Sequence, residues 1–104
     1  MACGATRYTQ GVIRSFKHAG LEKFFKTGSK AGIQPAHEKK LRLQLTTLNA
    51  ASTIADIAPF EAWKLHSLKG RLAGHWAITV NGNWRIVFVF DGPDVTLVDY
   101  TDYH

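Results

Sequence analysis

Residues 75–90 constrain this chain more than any other stretch. Trp76, Ile78 and Val80 alternate with His75, Ala77 and Thr79; beyond Asn81-Gly82-Asn83, Trp84, Ile86, Phe88 and Phe90 alternate with Arg85, Val87 and Val89. Successive side chains of a strand point to opposite faces, so two such runs around a turn-forming tripeptide predict an antiparallel hairpin. Loop length then decides which residues meet. A two-residue Asn-Gly turn would pair Thr79 with Trp84 and Ile78 with Arg85, mixing the faces. A three-residue loop pairs Val80 with Trp84, Ile78 with Ile86 and Trp76 with Phe88, and this register is expected because it keeps the bulky side chains together. The other face then carries Thr79 and Arg85. An Arg in so apolar a strand is costly to bury unpaired, so that face is expected to be open or to hold an anion.

The remaining elements follow from periodicity. Residues 12–16 read as a first short strand, and Leu21, Phe24 and Phe25 form a helical stripe that Gly28 stops. Pro35 suits the first position of a second helix running to about Ala51, with Leu41, Leu45 and Leu48 facing the core; Leu43 lies off that stripe and would broaden the apolar face. Lys39, Lys40 and Arg42 fall elsewhere around it, as a solvated face or as contacts to nucleic acid. Residues 56–59 make a short turn or a scrap of helix, 63–66 a short strand, and Asp91-Gly92-Pro93-Asp94 turns the chain into a last strand from Val95 to about Thr101. The expected architecture is α+β: two N-terminal helices packed on one face of a small, mainly antiparallel sheet. Residues 1–11, small and polar without periodicity, are expected to be a flexible tail, and residues 12–104 a single domain.

Charge is distributed unevenly. All thirteen Lys and Arg, but only four of the eight Asp and Glu, lie within residues 1–90, and the other four acids fall at 91, 94, 99 and 102. So polarised a chain suits an anionic partner, nucleic acid or an acidic protein segment. Cys3 is the single cysteine, which rules out an internal disulfide and a zinc site built on cysteines. No apolar run approaches a membrane span, and the first residues lack the apolar centre of a secretion signal. A reducing, cytoplasmic location is expected.

Two segments carry the candidate chemistry. Residues 63–70 supply His66 and Lys69, three apart, and the chain ends in Asp102-Tyr103-His104. Imidazoles titrate near neutrality, and a phenol and cations nearby complete the groups that move protons around a phosphate without a metal. Each has a plainer reading: His66 as a surface residue, Arg85 as a paired structural Arg, the terminal triplet as a packed strand end. His75 is either a lining residue of such a site or an edge-strand residue. A metal on His66, His75, Asp102 and His104 competes, but no tight ligand spacing appears, and neither does a phosphate loop, nucleophile elbow or dinucleotide fingerprint. No cofactor is expected.

Ile13-Arg14-Ser15-Phe16, the Lys64-to-Gly70 segment, His75-Trp76-Ala77-Ile78, Asn83-Trp84-Arg85-Ile86 and Asp102-Tyr103-His104 together resemble the HigB-type toxins of the RelE/ParE superfamily of bacterial toxin–antitoxin modules. The resemblance runs from about Val12 to the end. It implies a RelE/ParE-like fold and a metal-independent endoribonuclease that cuts mRNA in the ribosomal A site and halts translation. It implies acid–base work for His66, with His66 and His104 sharing the proton transfers. Lys69 and Arg85 match basic residues near the scissile phosphate, and Arg71 is a further RNA contact. Asp102 would orient or charge-stabilise an imidazole, and Tyr103 would stack on a base or donate to phosphate. The implied partners are the ribosome, mRNA and a cognate helix-turn-helix antitoxin of the HigA type, with operator DNA bound only through the toxin–antitoxin complex and no membrane.

Similar proteins commonly begin with Met directly before the Ile-Arg/Lys-Ser-Phe segment, where this chain has Val12. Val12 is therefore expected to correspond to an alternative start codon, with residues 1–11 as upstream sequence. Two other functions stand beside the nuclease: a non-catalytic growth inhibitor of the same fold, like superfamily members that poison DNA gyrase, and a basic binding module without toxicity.

Overall fold

The computed structural model describes residues 12–102. The expected tail 1–11 and the last two residues, Tyr103 and His104, lie outside them.

Helix α1 spans Ala19–Thr27. His18 caps it, its Nδ1 accepting the Leu21 N–H at 2.9 Å, and Gly28 closes it in the left-handed conformation, its N–H donating to the Phe24 carbonyl. After a 3-10 turn at Pro35–His37, α2 spans Glu38–Ala50 and buries Leu41, Gln44, Leu45 and Leu48. Leu43 does not broaden the apolar face; it is exposed, and Gln44 enters the core instead. Arg42 is held by Glu38 at 2.9 Å and lies over the Phe24 ring.

Four strands follow: β1 His66–Ser67, β2 Trp76–Asn81, β3 Trp84–Asp91 and β4 Asp94–Asp102, in the spatial order of the sequence and antiparallel throughout. The hairpin register is as expected for Trp76 with Phe88 and Ile78 with Ile86, but not at the turn. Trp84 pairs with Asn81 rather than Val80, because a one-residue irregularity between Thr79 and Asn81 leaves a two-residue turn, Gly82-Asn83. At that irregularity the Thr79 carbonyl accepts from Gln44 Nε2 at 2.7 Å, which gives the amide nitrogen of a glutamine inside the core its partner, while Gln44 Oε1 is buried with none among the described residues. A second irregularity, between Val87 and Val89, puts the extra residue into β4. There Leu97 takes a left-handed φ of 56°.

Three expectations need correction. The helices are not N-terminal elements: extended residues 12–17 precede them, and the longer helix sits at mid-chain. Residues 12–16 do not form a continuous strand. They touch β4 through two parallel bridges, Ile13 to Val95 and Phe16 to Val98, one on each side of the Leu97 irregularity. Residues 63–66 are not a strand either. Glu61–Trp63 is a 3-10 turn that Lys64 ends at φ 52°, so pairing begins only at His66.

Leu21, Phe24, Leu41, Leu45 and Leu48 from the helices pack with Ile78, Val80, Ile86, Phe88, Val95, Val98 and Tyr100 from the sheet as the main core. This apolar burial is the chief stabilising term. The helices thus cover one face of the sheet and leave the other for a site.

Candidate active site

Directly paired residues of antiparallel strands share a face. The pairs His66–Ala77, Ala77–Val87 and Val87–Asp99 therefore make one row across all four strands, on the face away from the helices. The next row on that face is Thr79–Arg85–Thr101. His66 and Arg85 thus share a surface although they are far apart in sequence. From strand spacing and rise, their backbones lie about 12 Å apart, a gap that an imidazole and a guanidinium can close around one phosphate.

His66 is exposed, and its Nδ1 lies 2.9 Å from the Lys64 carbonyl. A carbonyl only accepts, so Nδ1 donates and carries the proton. In the neutral ring the lone pair is then on Nε2. Lys64 holds that carbonyl through its left-handed turn, so the backbone conformation that ends the 3-10 segment also sets the tautomer. Arg85 is half-buried, and one guanidinium nitrogen donates to the carbonyls of Gly82 at 2.7 Å and Trp84 at 3.2 Å. The hairpin turn thus fixes where the guanidinium points. Lys69 and Arg71 lie in the loop between β1 and β2, both exposed. That loop is tied by Leu68 N–H to the His75 carbonyl and His75 N–H to the Leu72 carbonyl.

The predicted residues are not all brought together. Asp102 ends β4 opposite Trp84, so the register sets it on the helix-packed side with Tyr100. There burial, with a contribution from the Asp102 charge, raises the Tyr100 pKa above the ordinary phenol value against the lowering effect of the Gln34 N–H. Tyr103 and His104 lie outside the described residues. Among the described residues, no group of three His, Cys, Asp or Glu side chains is placed to hold a metal ion.

A cleft on the open face draws in Lys17, Asp99 and Thr101, which sequence reasoning did not assign to a site, together with His75, for which a lining position was one of two readings. The signal for Asp99 was present. Between buried Val98 and Tyr100, strand alternation can only point it to the opposite face.

This four-stranded antiparallel sheet with helices on one face is shared with solved structures. YafQ from E. coli matches with a TM-score of 0.59 at 16% identity, over 89% of this chain and 93% of that one. The YoeB dimer from Staphylococcus aureus matches with a TM-score of 0.52 at 22% identity, over 91% and 98%. In sequence, Endoribonuclease HigB of Proteus vulgaris is 38% identical over 93 residues, which is 89% of this chain and all of that protein. The family model described as RelE-like toxin of type II toxin–antitoxin system HigB matches residues 14–104. The chain belongs to this family of HigB-like toxins.

Proposed function

We propose that this chain is the toxin of its module and acts as an endoribonuclease on mRNA at the ribosome, by attack of a 2′-hydroxyl on the adjacent phosphorus. The observation that carries the reading is the arrangement of His66: a surface imidazole held through Nδ1 by a backbone carbonyl, on the same sheet face as a guanidinium fixed by its own turn. Both proton transfers of such a cleavage need an imidazole with one nitrogen committed and the other turned to substrate. Neutral, Nε2 of His66 takes the hydroxyl proton; charged, it would instead give one to the departing 5′-oxygen, and His104 performs the other of the two transfers. Arg85 and Lys69 neutralise the charge that builds on the phosphate, and Arg71 extends the basic surface along the RNA. His104 supplies the second imidazole. Asp102 assists from the edge of the sheet through its charge, and Tyr103 stacks on a base.

The partners proposed are the ribosome, which contributes substrate positioning, mRNA, and a helix-turn-helix antitoxin whose acidic surface meets the basic toxin. Operator DNA is reached only through that complex. The site of action is the cytoplasm; among the described residues no helix is long and apolar enough to cross a membrane. Induction of the chain alone, followed by mapping of mRNA 5′ ends, is expected to show new cuts within translated codons, suppressed by co-expression of the neighbouring antitoxin gene. Growth arrest with DNA damage and intact mRNA would overturn the nuclease reading in favour of a gyrase-poisoning inhibitor.

A further inference from the structure

Beside His66 and Arg85 the open face sinks into a cleft of about 180 Å³. Its apolar walls are Leu72 from the β1–β2 loop, Val87 from mid-sheet and Leu97 from β4. Its polar groups are Lys17, His75, Asp99 and Thr101. Val87 and Asp99 stand in the His66 row and Thr101 in the Arg85 row, so the cleft adjoins the place proposed for the phosphate. The volume falls below the ~300–1,000 Å³ of drug-sized pockets and suits a single planar ring system between apolar walls.

Three observations say what the ring should carry. The Asp99 carboxylate is half-buried; its Oδ1 accepts the Tyr100 N–H at 2.9 Å, and among the described residues nothing else bonds it. An ionised carboxylate only accepts, so it asks for an N–H donor and repels a phosphate. Next, His75 Nδ1 is buried without a partner among the described residues. Orphaned buried N–H groups are rarer than under-used acceptors, so Nδ1 is the bare nitrogen and Nε2–H is the donor the ring can offer. This is the opposite tautomer to His66, and it suits hydrogen-bond reading rather than proton abstraction. Finally, Leu97 adopts its left-handed φ at the very irregularity that makes it a wall of the cleft. Irregularities of this kind re-aim side chains beside functional sites, and strain in a non-glycine residue persists where the surroundings enforce it.

We infer that this cleft binds one unpaired base of the RNA and selects a base bearing an exocyclic amine, which donates to Asp99 while His75 or Lys17 donates to a neighbouring ring or carbonyl acceptor. Adenine, cytosine and guanine meet this pattern. Uracil has no exocyclic amine; its one ring N–H on the pairing edge is flanked by two carbonyl oxygens that the carboxylate repels, so it meets Asp99 worst. The inference rests on the reading of the chain as an RNA-cleaving toxin, and it names the specificity element of that same surface.

Two measurements test it separately from the nuclease reading. In the first, the full chain carrying His66→Ala is titrated with single-stranded oligoadenylate, oligocytidylate and oligouridylate of equal length, followed by the NMR signals of His75, Asp99 and Thr101. Shifts at these residues with the adenine and cytosine strands, about five- to 150-fold weaker with uridylate, are expected from a good hydrogen-bonded pair. Equal affinity for all three, or shifts confined to other residues, overturns the inference. In the second, cleavage sites are mapped on programmed ribosomes for the wild type and for Asp99→Asn, whose amide can face uracil as well as an amine. The ratio of cutting at amine-bearing bases over uracil, at one position beside the cut, is expected to fall from fivefold or more to about twofold; Thr101→Val serves as a second variant. A ratio unchanged in both variants overturns the base site and leaves the nuclease standing. No cleavage by the wild type, with the oligonucleotide preference intact, overturns the nuclease and leaves the base site.

Discussion

Tyr100 and Thr101 are neighbours on β4 yet face two different chemistries. Tyr100 points into the helix-packed side, stacked on Trp84 at 4.5 Å between ring centroids. Its hydroxyl accepts the Gln34 N–H at 3.3 Å and lies 2.6 Å from His37 Nδ1, so the phenol ties a backbone amide and a buried imidazole together. Thr101 points the other way, into a cleft with His75, Asp99 and Lys17, paired across the sheet with Arg85. Both faces hold imidazoles, and what separates them is how the nitrogens are bonded. His37 is buried with Nδ1 committed to the phenol, and burial lowers its pKa below the ordinary value. His66 commits Nδ1 to a backbone carbonyl and stands exposed. A histidine packed for stability closes its polar atoms inside the protein, whereas one held for chemistry is oriented by one nitrogen and shows the other to substrate.

That contrast is broken most directly by removing one imidazole from each face. His66→Ala is expected to lower mRNA cleavage on programmed ribosomes by ~10²–10⁴ with the circular dichroism spectrum and melting temperature retained, the range for a general acid or base. His37→Ala is expected to do the reverse, lowering the melting temperature while the folded fraction still cuts. If His66→Ala melts the protein, or His37→Ala abolishes cleavage in a folded sample, the division between the faces is wrong. Arg85→Ala comes next, with a loss of ~10²–10³ as expected for a preorganised donor to developing charge. A loss under about threefold would make Arg85 a clamp on the hairpin turn and nothing more.

Much of this division was legible in the sequence. Alternation along residues 76–90 gave the two faces, the pairs Trp76–Phe88 and Ile78–Ile86, and the placement of Arg85 away from the helices. It failed at Val80, because the irregularity there is matched by Gln44, a residue on a helix distant in sequence. It failed again over residues 12–16, where continuous pairing depended on β4 being regular. In the structure Val95 and Val98 are both buried although three apart, a spacing that period-two alternation does not allow. The shared face of His66 and Arg85 could not be read in advance, since β1 meets β2 through a loop whose register no local pattern sets.

Smaller effects sharpen the helix-packed side. Tyr100→Phe leaves His37 Nδ1 and the Gln34 N–H without their partner, at a cost of about 1–3 kcal/mol for a buried polar atom left unsatisfied. Chemical denaturation measures this, and a cost near zero would show that water replaces the phenol. The pH dependence has a defined sign. His37 titrates lower in the native state than its ordinary 6.5, so protons favour the unfolded chain. Its contribution is complete above about pH 6.5 and is lost as pH falls from there to the native pKa. The difference in stability between wild type and His37→Phe is expected to change over that window and to be flat at higher pH; a flat difference throughout would place the imidazole in water.

Leu97 gives the smallest and most discriminating test, because it belongs to the open face and yet carries backbone strain. At φ 56° a leucine costs about 1–2 kcal/mol that glycine does not. Glycine in turn gives the unfolded chain more freedom, worth about 0.4–1 kcal/mol. Leu97 is 41% exposed, so more than half of its surface is covered and losing the side chain costs about 1–2 kcal/mol of apolar burial. Relief of strain offsets most of that loss, and Leu97→Gly is expected to change stability by no more than about 2 kcal/mol, while removing one wall of the cleft and weakening its discrimination among bases. A strained residue whose removal costs the fold little and blunts selection is held in place by what it does for a ligand. If Leu97→Gly instead destabilises by clearly more than about 2 kcal/mol, the open face is a second packed core, and its polar groups are there to hold the sheet rather than to read RNA.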